Sequence, residues 1–112
     1  MKELKEILYK VKITKVIGST TIGVSKLCID SRQIKPNDLF IAIKGNTIDG
    51  HNFINKAIEL GAKSIICESI PSEIIDGITY LEVNCSRESL SITSSNYFDT
   101  VSYTHLTLPT KA

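Results

Sequence analysis

Asp30-Ser31-Arg32, then Pro36-Asn37-Asp38-Leu39-Phe40-Ile41-Ala42-Ile43, then Lys44-Gly45-Asn46-Thr47-Ile48-Asp49-Gly50-His51 reads, in that order, as turn, second turn, strand, glycine-flanked loop and helix start. Residues 39–43 are continuously apolar. A strand with one wet face alternates, whereas an unbroken apolar run suits a strand covered on both faces, as in a parallel sheet. Asp30 and Ser31 favour a turn because their side chains bond nearby backbone amides. Asp49 is placed to cap a helix over 51–60, with Phe53, Ile54, Ala57, Ile58 and Leu60 on its buried side and Gly61 as its C-terminal stop.

Upstream, Leu4, Ile7, Leu8 and Val11 fall at helical spacing and predict a short amphipathic helix over 3–10. Residues 13–17 read as a short strand closed by Gly18-Ser19-Thr20. Ile22, Val24, Leu27 and Ile29 start a β pattern that stops at Asp30. Downstream, Ile65, Ile66 and Cys67 mark a strand over 64–68, and 78–83 marks another. Asn84 or Ser86 can cap a final helix carrying Leu90, Ile92 and Tyr97 to about residue 98. This alternation predicts an α/β fold: a small sandwich with a mostly parallel sheet flanked by helices.

At 112 residues the chain is one domain or a piece of one. An apolar fraction of 42% and a charged fraction of 22% are ordinary for a soluble globular protein. A net charge of +1 with scattered lysines gives no case for a nucleic-acid partner. No apolar run is long enough to span a membrane, and the charged start lacks the apolar centre of a signal peptide. Cys28, Cys67 and Cys85 are odd in number and far apart, which predicts reduced thiols in or beside the core and a cytoplasmic location. A zinc site would need closer ligands and more histidine than His51 and His105 supply, so no metal site is expected in this chain.

A ligand site is expected between the Asp30 turn and the 45–50 loop, because open α/β sheets bind beyond the carboxyl ends of their strands. The Ser31 hydroxyl both donates and accepts, which suits reading a base or sugar edge; a plain Asx turn is the alternative. Arg32 has two readings, a bidentate phosphate contact or a pair with a carboxylate such as Asp38. The 45–50 loop offers close backbone approach and a helix start to a diphosphate. It is neither a G-x-G-x-x-G nor a P-loop pattern, so a purely structural connection is the other reading. His51 reads as structural, and no nucleophile–base spacing proposes catalytic residues. Residue by residue, the sequence leads to a small α/β domain suited to an anionic, nucleotide-like ligand.

The motifs together carry more. Asp30-Ser31-Arg32, Asp38-Leu39-Phe40-Ile41-Ala42-Ile43-Lys44-Gly45, Asp49-Gly50-His51-x-Phe53-Ile54 and Ala57-Ile58-x-x-Gly61-Ala62 resemble, in order and spacing, the N-terminal domain of the Mur ligases, most nearly the MurE type. The resemblance covers about residues 1–99. It implies a domain that binds the UDP end of UDP-N-acetylmuramoyl-L-alanyl-D-glutamate, in a monomeric ligase of peptidoglycan precursor synthesis. Ser31 and Ile29 would lie at the uracil, and Asn46, Thr47 and Ile48 near the rest of the UDP group. ATP and Mg²⁺ would belong to a central domain of the full-length ligase and not to this segment, which alone would be inactive. A MurF-type ligase shares the pattern, often with Thr where Ser31 stands, and a non-catalytic nucleotide-sugar-binding module is a further alternative. Residues 100–112 depart from the family and resemble translated adapter sequence. They are expected to be a non-native or disordered tail.

Overall fold

The computed structural model describes residues 2–45 and 49–102. The chain forms β1 (Lys2–Glu3), α1 (Leu4–Ile7), β2 (Ile13–Ile17), β3 (Gly23–Val24), β4 (Leu27–Cys28), β5 (Leu39–Ile41), α2 (Ile54–Glu59), β6 (Ser64–Cys67), β7 (Thr79–Val83) and α3 (Ser86–Ser102). Single 3₁₀ turns at Ser31–Gln33 and Gly50–Phe53 follow β4 and precede α2. The main sheet has five strands in the order β2-β7-β6-β5-β4. The strands β4 to β7 run parallel, and β2 joins β7 antiparallel with a register shift between Ile13 and Lys15. The expected α/β fold with a mostly parallel sheet is therefore the observed one.

The unbroken apolar run explains the position of β5. Phe40 and Ala42 face one core, with Ile54, Ala57, Ile65 and Tyr80 under α2. Leu39 and Ile41 face the other, with Leu4, Ile7, Ile66 and Leu81 under α1 and α3. Each fully buried Leu, Ile or Phe side chain contributes roughly 1.5–3 kcal/mol relative to exposure, so two-sided coverage anchors β5 through all three of its residues. Cys67, in β6, is wholly buried, and desolvation pushes its thiol up to about 12. It packs as a small apolar group. Cys28 is buried as well, but Cys85 is exposed, so the expectation of three thiols in or beside the core holds for two; all three are free.

Several elements differ from their expected extents. The helix over 3–10 shrinks to α1 because Lys2 and Glu3 pair with Val24 and Gly23 instead. Its far end is closed by Lys10 at φ 69 and by Asn96 Nδ2, which donates to the Ile7 and Tyr9 carbonyls at 2.7 and 2.6 Å. The β pattern over 22–29 splits between β3 and β4, which serve different sheets. The helix over 51–60 begins as a 3₁₀ turn, with Asp49 accepting from His51 N as the expected cap. The final helix reaches Ser102, past the expected boundary at residue 99. The expected tail from 103 onward lies outside the described residues, as do Asn46, Thr47 and Ile48.

Candidate functional site

The carboxyl ends of β4 and β5 open into a cleft of about 500 Å³ lined by Ile29, Ser31, Phe40, Ile43, Gly50 and Phe53, with Asp30 and Arg32 at its rim. Ile29 stands 54% exposed, an unusual fate for an isoleucine and one that leaves an apolar face free for a flat ring. Ser31 is 7% exposed and heads the 3₁₀ turn after β4. No hydrogen bond engages its hydroxyl among the described residues. The two predicted site residues on the β4 side are thus brought together, one apolar and one able to donate and accept.

The turn is held from within. The Asp30 carboxylate accepts from the Arg32 backbone N–H at 3.0 Å and from its guanidinium at 3.1 and 3.0 Å. The guanidinium bond, with the backbone bond second, holds the Asp30 carboxyl below the usual aspartate range. Arg32 thus pairs with a carboxylate, as one of its two readings had it, but the partner is Asp30 and not Asp38. Arg32 and Asp38 sit at opposite ends of the parallel strands, Arg32 beyond β4 and Asp38 ahead of β5. Asp38 is wholly buried and takes Lys26 Nζ at 2.5 Å and Lys35 N at 2.8 Å on one oxygen. The hydrogen bond to Asp38 raises the Lys26 pKa.

The other wall is the loop that follows β5. Gly50 N donates to Ile43 O at 2.8 Å, and Lys44 and Asp49 form an antiparallel bridge, so the loop leaves and returns at one place. Both His51 ring nitrogens are engaged: its Nδ1 lies 2.7 Å from Asp49 Oδ1, and its Nε2 accepts from Glu68 N at 2.8 Å. The His51 backbone N–H, ahead of its ring, lowers the Asp49 pKa. Sequence reasoning missed the His51–Glu68 contact because it joins two turns that are 17 residues apart. It also missed Phe40, Ile43, Gly50 and Phe53 as lining residues. The Asp49-Gly50-His51-x-Phe53 motif held half of that signal.

Glu68 has a second task. Its carboxylate accepts from Ser86 N at 2.8 Å and Ser86 Oγ at 2.9 Å, which satisfies the start of α3 from the end of β6. The Ser86 N–H is the main cause of its lowered pKa. A carboxyl depressed in the folded state contributes stability that is present above its unfolded value, about 4.3, and is lost as pH falls through the folded value. Glu68→Gln should therefore melt below the wild type at neutral pH, and the gap should close on acidification past that range. A gap that stays constant from pH 7 to pH 3 would assign the loss to packing instead of charge.

Among the described residues, no three His, Cys, Asp or Glu side chains come together as a metal site. Nor is any helix there long and apolar enough to cross a membrane.

Residues 23–100 match the Mur ligase family, catalytic domain. The chain belongs to the Mur ligase family. It is 37% identical over 101 residues to the UDP-N-acetylmuramoyl-L-alanyl-D-glutamate–2,6-diaminopimelate ligase of Cytophaga hutchinsonii, covering 89% of this chain and 21% of that one. To the ligase of the same name from Clostridium tetani it is 40% identical over 98 residues, 86% of this chain and 20% of the other. This Mur ligase chain thus spans about a fifth of the length of those curated relatives. Among solved structures it resembles MurF from Acinetobacter baumannii with a TM-score of 0.74 at 20% identity, over 88% of this chain and 21% of that one. That likeness is one of fold. MurF ligase from Thermotoga maritima, solved in complex with ADP, gives a TM-score of 0.58 at 28% identity over 69% of this chain and 17% of that one.

Proposed function

We propose that residues 1–99 are the UDP-precursor-binding domain of a MurE-type ligase, which adds the third amino acid to UDP-N-acetylmuramoyl-L-alanyl-D-glutamate during peptidoglycan synthesis. The observation that carries this reading is the pairing of an exposed Ile29 face with the free Ser31 hydroxyl in one cleft at the carboxyl edge of a parallel sheet. The uracil would lie against Ile29, and its polar edge would meet Ser31. Asn46, Thr47 and Ile48 would follow the ribose and diphosphate, with backbone contacts favoured over side-chain ones. The names of the relatives from Cytophaga and Clostridium support the MurE type. The likeness to MurF supports the domain type without choosing between the two. ATP and Mg²⁺ would be held elsewhere in a longer ligase, and this segment alone would bind without ligating.

The test is a titration of the 112-residue chain with UDP-N-acetylmuramoyl-L-alanyl-D-glutamate, followed by amide shifts. Shifts should concentrate at residues 29–31 and 49–53. Ser31→Ala removes one hydrogen bond worth about 0.5–1.5 kcal/mol, so binding should weaken roughly two- to twelvefold. Shifts confined to other surfaces, or an unchanged affinity in Ser31→Ala, would reject the assignment.

A further inference from the structure

The 3₁₀ turn Gly50–Phe53 has two working sides. On one, Gly50 and Phe53 line the cleft beside Ser31. On the other, His51 lies in a second hollow of about 660 Å³ with Lys44, Asp49, Ile54 and Glu68, between the ends of β5 and β6. The His51 side chain is only 17% exposed, and both ring nitrogens are engaged. A main-chain N–H can only donate, so Nε2, which faces Glu68 N, carries no proton. The proton of the neutral ring is therefore on Nδ1, where it is donated to Asp49.

We propose that His51, as the neutral ring protonated at Nδ1, is a positioning residue for the cleft, fixing its Gly50–Phe53 wall to the end of β6. The ring joins the turn to a strand that the parallel ladder already holds rigid, since Ile65, Ile66 and Cys67 pair with β7. Across the cleft, residues 30–32 are fixed by their own Asp30–Arg32 bonds. With both walls anchored, the gap between them is set before a ligand arrives, and the ordering cost of binding falls. The charged groups around the ring are the Asp49 and Glu68 carboxylates and the Lys44 ammonium; the Arg87 guanidinium reaches the Lys44 carbonyl at 3.4 Å. A second proton on the ring would set N–H against the Glu68 N–H and release the wall. The geometry stands without any ligand. Only the choice of probe rests on the UDP reading above.

The experiment uses the 112-residue chain labelled with ¹⁵N, and UDP as the probe. Ring nitrogen shifts should place the His51 proton on Nδ1; a ring protonated at Nε2 overturns the inference. His51→Asn keeps a donor toward Asp49 but is too short to reach Glu68, while His51→Gln carries a carbonyl to where Nε2 stood. With both variants shown folded by circular dichroism, UDP binding should weaken about tenfold in His51→Asn and less than about threefold in His51→Gln. Wild-type affinity in folded His51→Asn, or equal losses in the two variants, overturns it. If the wild type binds no UDP, the ligand reading fails on its own. The inference is then decided by the Ser31 and Gly50 amide shifts, which His51→Asn must move and His51→Gln must leave in place.

Discussion

Gly61→Ala is expected to cost about 3 kcal/mol of stability and to lower the melting temperature by roughly 10–20 °C. Two causes add. Gly61 adopts φ +123, which L side chains rarely take. A Cβ there would also stand 2.7 Å from Pro36 Cα and 2.9 Å from Pro36 N. Those atoms belong to main chain that a proline ring stiffens, and the Gly61 carbonyl accepts from Asn37 N at 2.9 Å across the same contact. The end of α2 and the turn before β5 are thus pressed together, and neither can step aside cheaply. Gly77 supplies the control: it too has positive φ, +86, yet nothing lies within 4 Å of a Cβ built there. Gly77→Ala should lose only the strain, about 1 kcal/mol. Thermal or urea melts that rank the two variants equally would show that the Pro36 contact contributes nothing.

Gly50→Ala is expected to abolish ligand binding by the cleft, with at least about a hundredfold loss of affinity, equivalent to about 2.7 kcal/mol. Here the backbone conformation is ordinary and the obstacle is space. The added Cβ would meet Ile43 N at 2.7 Å, Ile43 O at 2.9 Å and Ala42 Cα at 3.2 Å. Relief requires the loop to move off the end of β5, which breaks the Gly50–Ile43 bond. Since Ile43 and Gly50 both line the cleft, its shape goes with that bond. Overpacking of this kind typically costs 1–3 kcal/mol, so the fold should survive at a lower melting temperature. Calorimetric titration of folded Gly50→Ala with UDP-N-acetylmuramoyl-L-alanyl-D-glutamate is the measurement. An affinity within threefold of the wild type would remove this wall from the binding site.

Much of the fold was legible because the signals were local. The apolar run at 39–43, the Asp49 cap and the Gly61 stop each follow from residues within a few positions of one another. The parallel arrangement followed from that run, which suits burial on both faces, together with the alternation of strands and helices. The failures share one cause, contacts between distant segments. Asp38 looked like a surface carboxylate because nothing near it in sequence announces Lys26 as its partner. The first helix was overextended because Val24 and Asn96, which limit it at either end, lie far along the chain. Within the site, Ser31 could be named from a turn after a strand, whereas Ile29 came only with the family resemblance. The wall opposite them depends on Glu68, whose identity in sequence is merely the end of another strand. Side chains that serve two elements at once leave no periodic trace.

The register shift in β2 bears on how the molecule behaves in a crowd. β2 is the free antiparallel border of the sheet, and such a border offers unpaired amides and carbonyls to any other extended chain. Its outward residues include Thr14, Lys15 and Val16, and the irregularity between Ile13 and Lys15 breaks the even spacing of those groups. A second strand could match the border on one side of the break but not across it, and it would have to desolvate Lys15 as well. The opposite border, β4, is two residues long and too short to template anything. Strand addition is therefore disfavoured at both borders of the five-stranded sheet, so its two edges give another extended chain little to pair with.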